Sequence, residues 1–126
     1  MLLNSLYIAP SPGKGKGVFT NEAIESGTLI EIAPVLVLPE KDKEAIDGSH
    51  LYNYYFLWGD EQQHYAIALG YGSIYNHSYE PNCQYETYYE DETIHFITIR
   101  AVAAGEELCI NYNWDVADKT PVWFDK

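Results

Sequence analysis

From Gln84 to Tyr89 side chains alternate in character, Glu90-Asp91-Glu92 turns the chain, and Thr93-Ile94-His95-Phe96-Ile97-Thr98-Ile99-Arg100 alternates again on the way back. A period of two belongs to a strand with one buried face, so residues 84–100 predict a β-hairpin. The rest of the chain has the same grain. Residues 2–8 predict a strand, 9–17 a loop dense in Pro and Gly that leads into Val18-Phe19-Thr20, and 29–32 and 35–38 two further β segments separated at Pro34. The aromatic run 51–58 turns at 59–62 into 64–69, a second hairpin. Only residues 40–46 suggest helix, a short charged turn stopped by Gly48. The expected fold class is therefore mainly β, built from short strands with little helix.

With 126 residues, the expectation is one domain with one modest core. A 47% hydrophobic content against 21% charged residues places it among globular rather than disordered chains. Seven Lys and Arg against nineteen Asp and Glu give a formal charge of −12, which repels phosphate backbones and anionic membranes and attracts cationic partners. Direct nucleic-acid and membrane binding are not expected, whereas a lysine-rich protein or peptide suits the charge; solubility is the plainer reason for an acidic surface. The start of the chain lacks the basic region and long apolar stretch of a signal peptide, and an intracellular protein, cytoplasmic or nuclear, is expected. Two cysteines, Cys83 and Cys109, are too few for a disulfide scaffold or a four-thiolate zinc site. His50, His64, His77 and His95 lack metal-ligand spacing, so no metal is expected.

Two runs carry chemistry. Tyr75-Asn76-His77-Ser78-Tyr79-Glu80-Pro81-Asn82-Cys83 combines side chains that donate and accept hydrogen bonds with turn-forming Ser and Asn and a torsion fixed by Pro81. Such a loop is either a well-made turn or a rigid grip on a ligand. The second run, Gly105-Glu106-Glu107-Leu108-Cys109-Ile110-Asn111-Tyr112, places a tyrosine at the end of an expected strand. Near the start, Gly15-Lys16-Gly17 permits close backbone approach or simply makes a turn.

In order and spacing, Gly15-Lys16-Gly17-Val18-Phe19, the loop from Gly72 to Cys83 and the run from Gly105 to Tyr112 resemble the three signatures of SET-domain protein lysine methyltransferases. The resemblance spans about residues 3–113, leaving 114–126 as an acidic tail. It implies a SET-domain, β-clip-like fold of several small sheets whose C-terminal segment threads under an earlier loop in a knot-like way. It also implies S-adenosyl-L-methionine as cofactor, held by Lys14, Gly15, Lys16, Gly17, Asn76, His77 and Tyr112, with Tyr112 as the catalytic residue between the cofactor and a lysine channel. Tyr85 and Tyr52 are the lysine-channel candidates, and aromatic core packing is their alternative.

The chain departs from the commoner family pattern at Tyr79, where many members have cysteine, and it lacks their Cys-rich segment after the last motif. It therefore resembles the minimal SET proteins without zinc-bearing flanks, and Trp123 or Phe124 of the tail is placed to close the cofactor pocket by stacking or else only to anchor the terminus. Methyl transfer to a lysine of a basic, histone-like protein is the first functional reading. A SET fold that binds peptide or cofactor without turnover is the second, and an all-β interaction protein without cofactor is the third. A homodimer that completes the substrate groove is a further expectation.

Overall fold

The computed structural model describes residues 1–59 and 63–112. Among the described residues nine strands form two sheets. In chain order they are β1 (Leu6–Ser11), β2 (Gly15–Thr20), β3 (Leu29–Leu38), β4 (Tyr55–Trp58), β5 (His64–Ala68), β6 (Asn76–His77), β7 (Cys83–Tyr88), β8 (Thr93–Thr98) and β9 (Glu107–Ile110). One sheet has the order β1-β2-β9-β6 and the other β4-β5-β3-β8-β7. The single α-helix among the described residues is α1 (Lys43–Asp47), preceded by a 3-10 turn over Glu40–Asp42 and ended at Gly48, where the sequence places its stop. No helix among the described residues is long and apolar enough to cross a membrane.

The β7–β8 hairpin follows the alternation that predicts it. Cys83, Tyr85, Ile94, Phe96 and Thr98 are buried on one face, and Tyr85 lies directly opposite Phe96 in register. Residues opposite each other on paired strands share a face, so this pair seeds the core between the sheets. Tyr75 stacks on Phe96 with ring centroids 4.3 Å apart.

Four local readings differ from the structure. The loop expected over 9–17 shrinks to a tight turn, because β1 runs to Ser11 and β2 begins at Gly15; β1 is an edge strand, where Pro10 needs no donor for a ladder. Residues 29–38 are one continuous strand rather than two, since β3 changes partner near Pro34, pairing with β8 before it and β5 after it. The strand expected from residue 51 starts only at Tyr55. Ser49 caps a 3-10 turn over His50–Asn53 by accepting the Leu51 N–H at 3.2 Å, and that local bond overrides the aromatic β propensity. The strand expected over 2–8 likewise starts late, at Leu6; ahead of it Leu3 donates to Ile30 O at 2.8 Å and Ile32 donates to Met1 O at 2.9 Å.

The topology turns on β9, which is inserted between β2 and β6 and runs parallel to the two residues of β6. The loop leaving β6 then lies along it: Ser78 N–H donates to Ile110 O at 2.9 Å. Asn82, 2% exposed, completes the capture, with Nδ2 donating to Glu107 O at 2.8 Å and Oδ1 accepting Cys109 N–H at 2.8 Å. An earlier loop thus holds a late strand by side-chain bonds, which is the described part of the expected threading.

Asn82→Ala leaves a partly buried carbonyl and a partly buried amide without these partners, at about 1–3 kcal/mol each. Urea unfolding should show a stability loss of about 2–6 kcal/mol; a change below about 0.5 kcal/mol, the level of an ordinary surface substitution, would contradict the clamp.

Candidate active site

The two motifs meet where β6, β9 and the start of β2 lie side by side. Asn76 is fixed through its amide, whose Nδ2 donates to Lys16 O at 3.0 Å and to Glu107 Oε2 at 2.7 Å. With both Nδ2 hydrogens committed, Oδ1 is the atom Asn76 presents as an acceptor. Glu107 is held in turn by Ser11, whose Oγ donates to Oε1 at 2.8 Å. A β-carbon on Gly17 would collide with the Glu107 carboxylate, so the lack of a side chain there makes room for the Asn76–Glu107 pair. Gly15 differs. It has φ +75°, and no heavy atom lies within 4 Å of where its β-carbon would be.

His77 is buried and links both motifs. Its Nδ1 accepts the Tyr112 N–H at 3.0 Å, which requires the neutral tautomer with the proton on Nε2, and its backbone carbonyl accepts Lys14 Nζ at 3.1 Å. The imidazole also packs edge-on to Tyr79, with centroids 4.3 Å apart, and against Tyr112 at 5.2 Å. Tyr79, the position that departs from the commoner pattern, is thus an aromatic wall for His77.

Tyr112 follows β9 and turns its hydroxyl onto the main-chain carbonyl of Tyr75, donating at 2.7 Å. Burial raises its pKa well above the ordinary tyrosine value, with Cys109, Tyr54, Glu107 and Tyr85 adding to the shift. The group is a neutral hydroxyl at physiological pH, fit to orient and to donate rather than to act as a base. Burial raises the Tyr85 pKa as well.

The sequence-predicted residues therefore separate into three groups. Lys14, Lys16, Gly17, Asn76, His77 and Tyr112 are joined by contacts around β9, and Gly15 opens β2 between Lys14 and Lys16. Tyr85 packs against Phe56 at 5.2 Å and lies near enough to Tyr112 to influence its ionisation. Tyr52 packs edge-on against Tyr55 at 6.1 Å, while its neighbour Tyr54 is the residue of that turn that influences Tyr112. Trp123 and Phe124 lie outside the described residues. Sequence reasoning passed over Glu107 and Ser11, and the doubled carboxylate of Gly105-Glu106-Glu107 was the available signal. Glu106 takes the structural half: it accepts Ala103 N–H at 3.0 Å, Arg100 Nη2 at 2.8 Å and Asn82 Nδ2 at 3.1 Å.

The SET-domain family profile matches residues 15–113, the stretch that contains these contacts apart from those made by Ser11 and Lys14. The chain belongs to the SET-domain protein-lysine methyltransferase family. It is 34% identical over 113 residues to the Schizosaccharomyces pombe histone-lysine N-methyltransferase specific for H3 lysine-37, covering 89% of this chain and 76% of that protein. A Halocynthia roretzi histone-lysine N-methyltransferase is 28% identical over 142 residues, covering 94% of this chain but only 36% of its own length. Among solved structures, a Plasmodium falciparum protein assigned as a histone methyltransferase superposes with a TM-score of 0.70 at 25% identity, covering 88% of this chain and 95% of that one. The likeness bears out the expected fold of curled β-sheets with little helix.

Buried phenols and thiols also set an alkaline limit on stability. Burial raises the pKa of Tyr75, Tyr85 and Tyr112 above the ordinary 10, and pushes Cys109 up to about 11 and Cys83 to about 12 from an ordinary 9. Groups that hold their protons more tightly when folded contribute fully below their unfolded pKa, and that contribution fades as pH rises through the folded values. The urea midpoint should fall steadily above about pH 9 to 10, and part of the tyrosinate absorbance should appear only together with unfolding. Titration of all twelve tyrosines in one non-cooperative phase would contradict this burial.

Proposed function

We propose that the protein transfers a methyl group from S-adenosyl-L-methionine to the side-chain amine of a lysine in a basic, histone-like protein. The Tyr112 hydroxyl, kept neutral and aimed at the Tyr75 carbonyl beside Asn76 and His77, carries this reading. The residues present fit the cofactor. Asn76 Oδ1 offers an acceptor suited to an ammonium group, and Gly15 borders open space with a backbone that can come close. When bound, S-adenosyl-L-methionine supplies a methyl group on a positively charged sulfur, which leaves as a neutral thioether once the methyl has moved.

The chain's own residues must then present a lysine amine with its lone pair free. A lysine is ordinarily protonated at neutral pH, so its proton has to leave before transfer. Partial burial beside a positive charge favours that loss. Tyr112 cannot take the proton, because the phenol would have to start as phenolate, and burial opposes phenolate. Water therefore carries the proton away, while the Tyr112 hydroxyl and the Tyr75 carbonyl fix the amine's direction. Tyr85, with its ring against Phe56 and Phe96, is the residue proposed to limit the space around the amine.

The substrate class rests on two supports. The relatives above are named for histone lysines, and a formal charge of −12 draws a basic tail toward the protein. That attraction acts over about 8 Å at physiological salt, so it favours encounter rather than choice of lysine.

Labelled S-adenosyl-L-methionine mixed with an array of lysine-containing peptides should give transfer to basic, histone-like peptides, and Tyr112→Phe should reduce kcat by about 100-fold. Cofactor binding without transfer to any peptide would favour the non-catalytic module. Absence of cofactor binding would overturn both.

A further inference from the structure

A carboxylate lies in the core behind the active site. Glu31 is 2% exposed although it belongs to the apolar strand β3. A register shift between Leu29 and Glu31 is responsible: beyond it Glu31 pairs with Phe96 and shares that residue's inward face. A buried carboxylate carries a large desolvation penalty, and a well-packed apolar residue is often no less stable in such a place. Both Glu31 oxygens are nevertheless engaged. Oε1 accepts the Tyr75 hydroxyl at 2.7 Å, and Oε2 accepts the Tyr71 N–H at 2.9 Å. The turn before Tyr71 is shaped around this group, since Gly70 has φ +63° and a β-carbon there would lie 2.5 Å from Oε2.

Tyr75 connects this carboxylate to the reaction centre. Its hydroxyl is held by Glu31, its ring is stacked on Phe96, and its own main-chain carbonyl is the acceptor for Tyr112 Oη. With the side chain pinned at its tip and along its face, the peptide linking Tyr75 to Asn76 has little freedom to rotate. We propose that Glu31 is a positioning residue for methyl transfer, acting through Tyr75 to fix the carbonyl that aims the Tyr112 hydroxyl.

The inference rests on the proposed lysine methyl transfer, and it adds a residue more than forty positions upstream of the loop it steadies. Burial pushes the Glu31 carboxyl pKa up, while the Tyr71 amide and the Tyr75 hydroxyl pull against that shift.

Two near-isosteric variants separate positioning from simple packing. Glu31→Met keeps the approximate length and volume but has no oxygen to accept from Tyr75 Oη or Tyr71 N, so the tie to Tyr75 is lost. Tyr75→Phe keeps the ring on Phe96 and removes only the hydroxyl. Each should lower kcat by about tenfold or more at a temperature where it is fully folded. The KM for peptide and the calorimetric Kd for S-adenosyl-L-methionine should stay within about twofold. The double variant should be little worse than either single one, because both break one link. In the cofactor-free protein, amide hydrogen exchange should speed up in both variants at residues 74–77 and 110–112 relative to the rest of β3 and β8.

Unchanged kcat in the folded variants, additive losses, or a loss confined to KM or cofactor Kd would overturn the inference. Exchange at 74–77 and 110–112 that matches the parent would do the same. Failure of the parent protein itself to transfer methyl overturns the proposed function instead, and the exchange comparison then still decides whether Glu31 holds Tyr75 and Tyr112 in place.

Discussion

Everything at the site depends on how one buried asparagine holds a late strand. Asn82 spends its side-chain amide on the main chain of β9, donating to Glu107 O and accepting from Cys109 N. A strand inserted between β2 and β6 has few other ways to be kept in register against a two-residue neighbour. Fixing β9 fixes Glu107, and Glu107 fixes Asn76. The end of β9 also delivers Tyr112, whose N–H then docks on His77. A slip of one residue would turn Glu107 to the opposite face and dissolve these contacts together.

The chemistry assigned to the site follows from preorganisation rather than from a strong base. Its polar groups are acceptors or neutral donors already aimed by protein partners: the Asn76 amide, the His77 main chain, the Tyr75 carbonyl and the Tyr112 hydroxyl. Groups that are pre-aligned need no reorganisation at the moment of reaction, which is where much enzymatic rate enhancement arises. The same economy explains why the five-stranded sheet matters to a site built on the four-stranded one. Glu31 in β3 reaches across to Tyr75, immediately before β6, and Phe96 in β8 supports the same ring.

Much of this was legible in the residues. Period-two alternation marks β7 and β8, and the two motifs single out Asn76, His77 and Tyr112, which the structure brings together beside β9. What alternation could not reveal was the bulge that turns Glu31 inward, because a register shift depends on the partner strand β8. Nor could spacing show that Gly17 makes room for Glu107 while Gly15 faces open space, since the two glycines read alike in sequence and differ only in what lies across from them. The late start of β4 was hidden for a related reason: a single Ser49 hydroxyl outweighs the propensity of several aromatics. Short-range signals survive in a sequence, whereas contacts between residues far apart in the chain are visible only after folding.

On the proposed function, the loop from Asn76 to Asn82, the start of β2 at Gly15–Gly17 and the end of β9 form one cofactor site held together by β9. Amide hydrogen exchange with and without S-adenosyl-L-methionine reads this out residue by residue. Added protection should be concentrated at residues 14–18, 76–82 and 107–112, with the five-stranded sheet little changed. Protection that falls elsewhere, or none at saturating cofactor, would contradict the account.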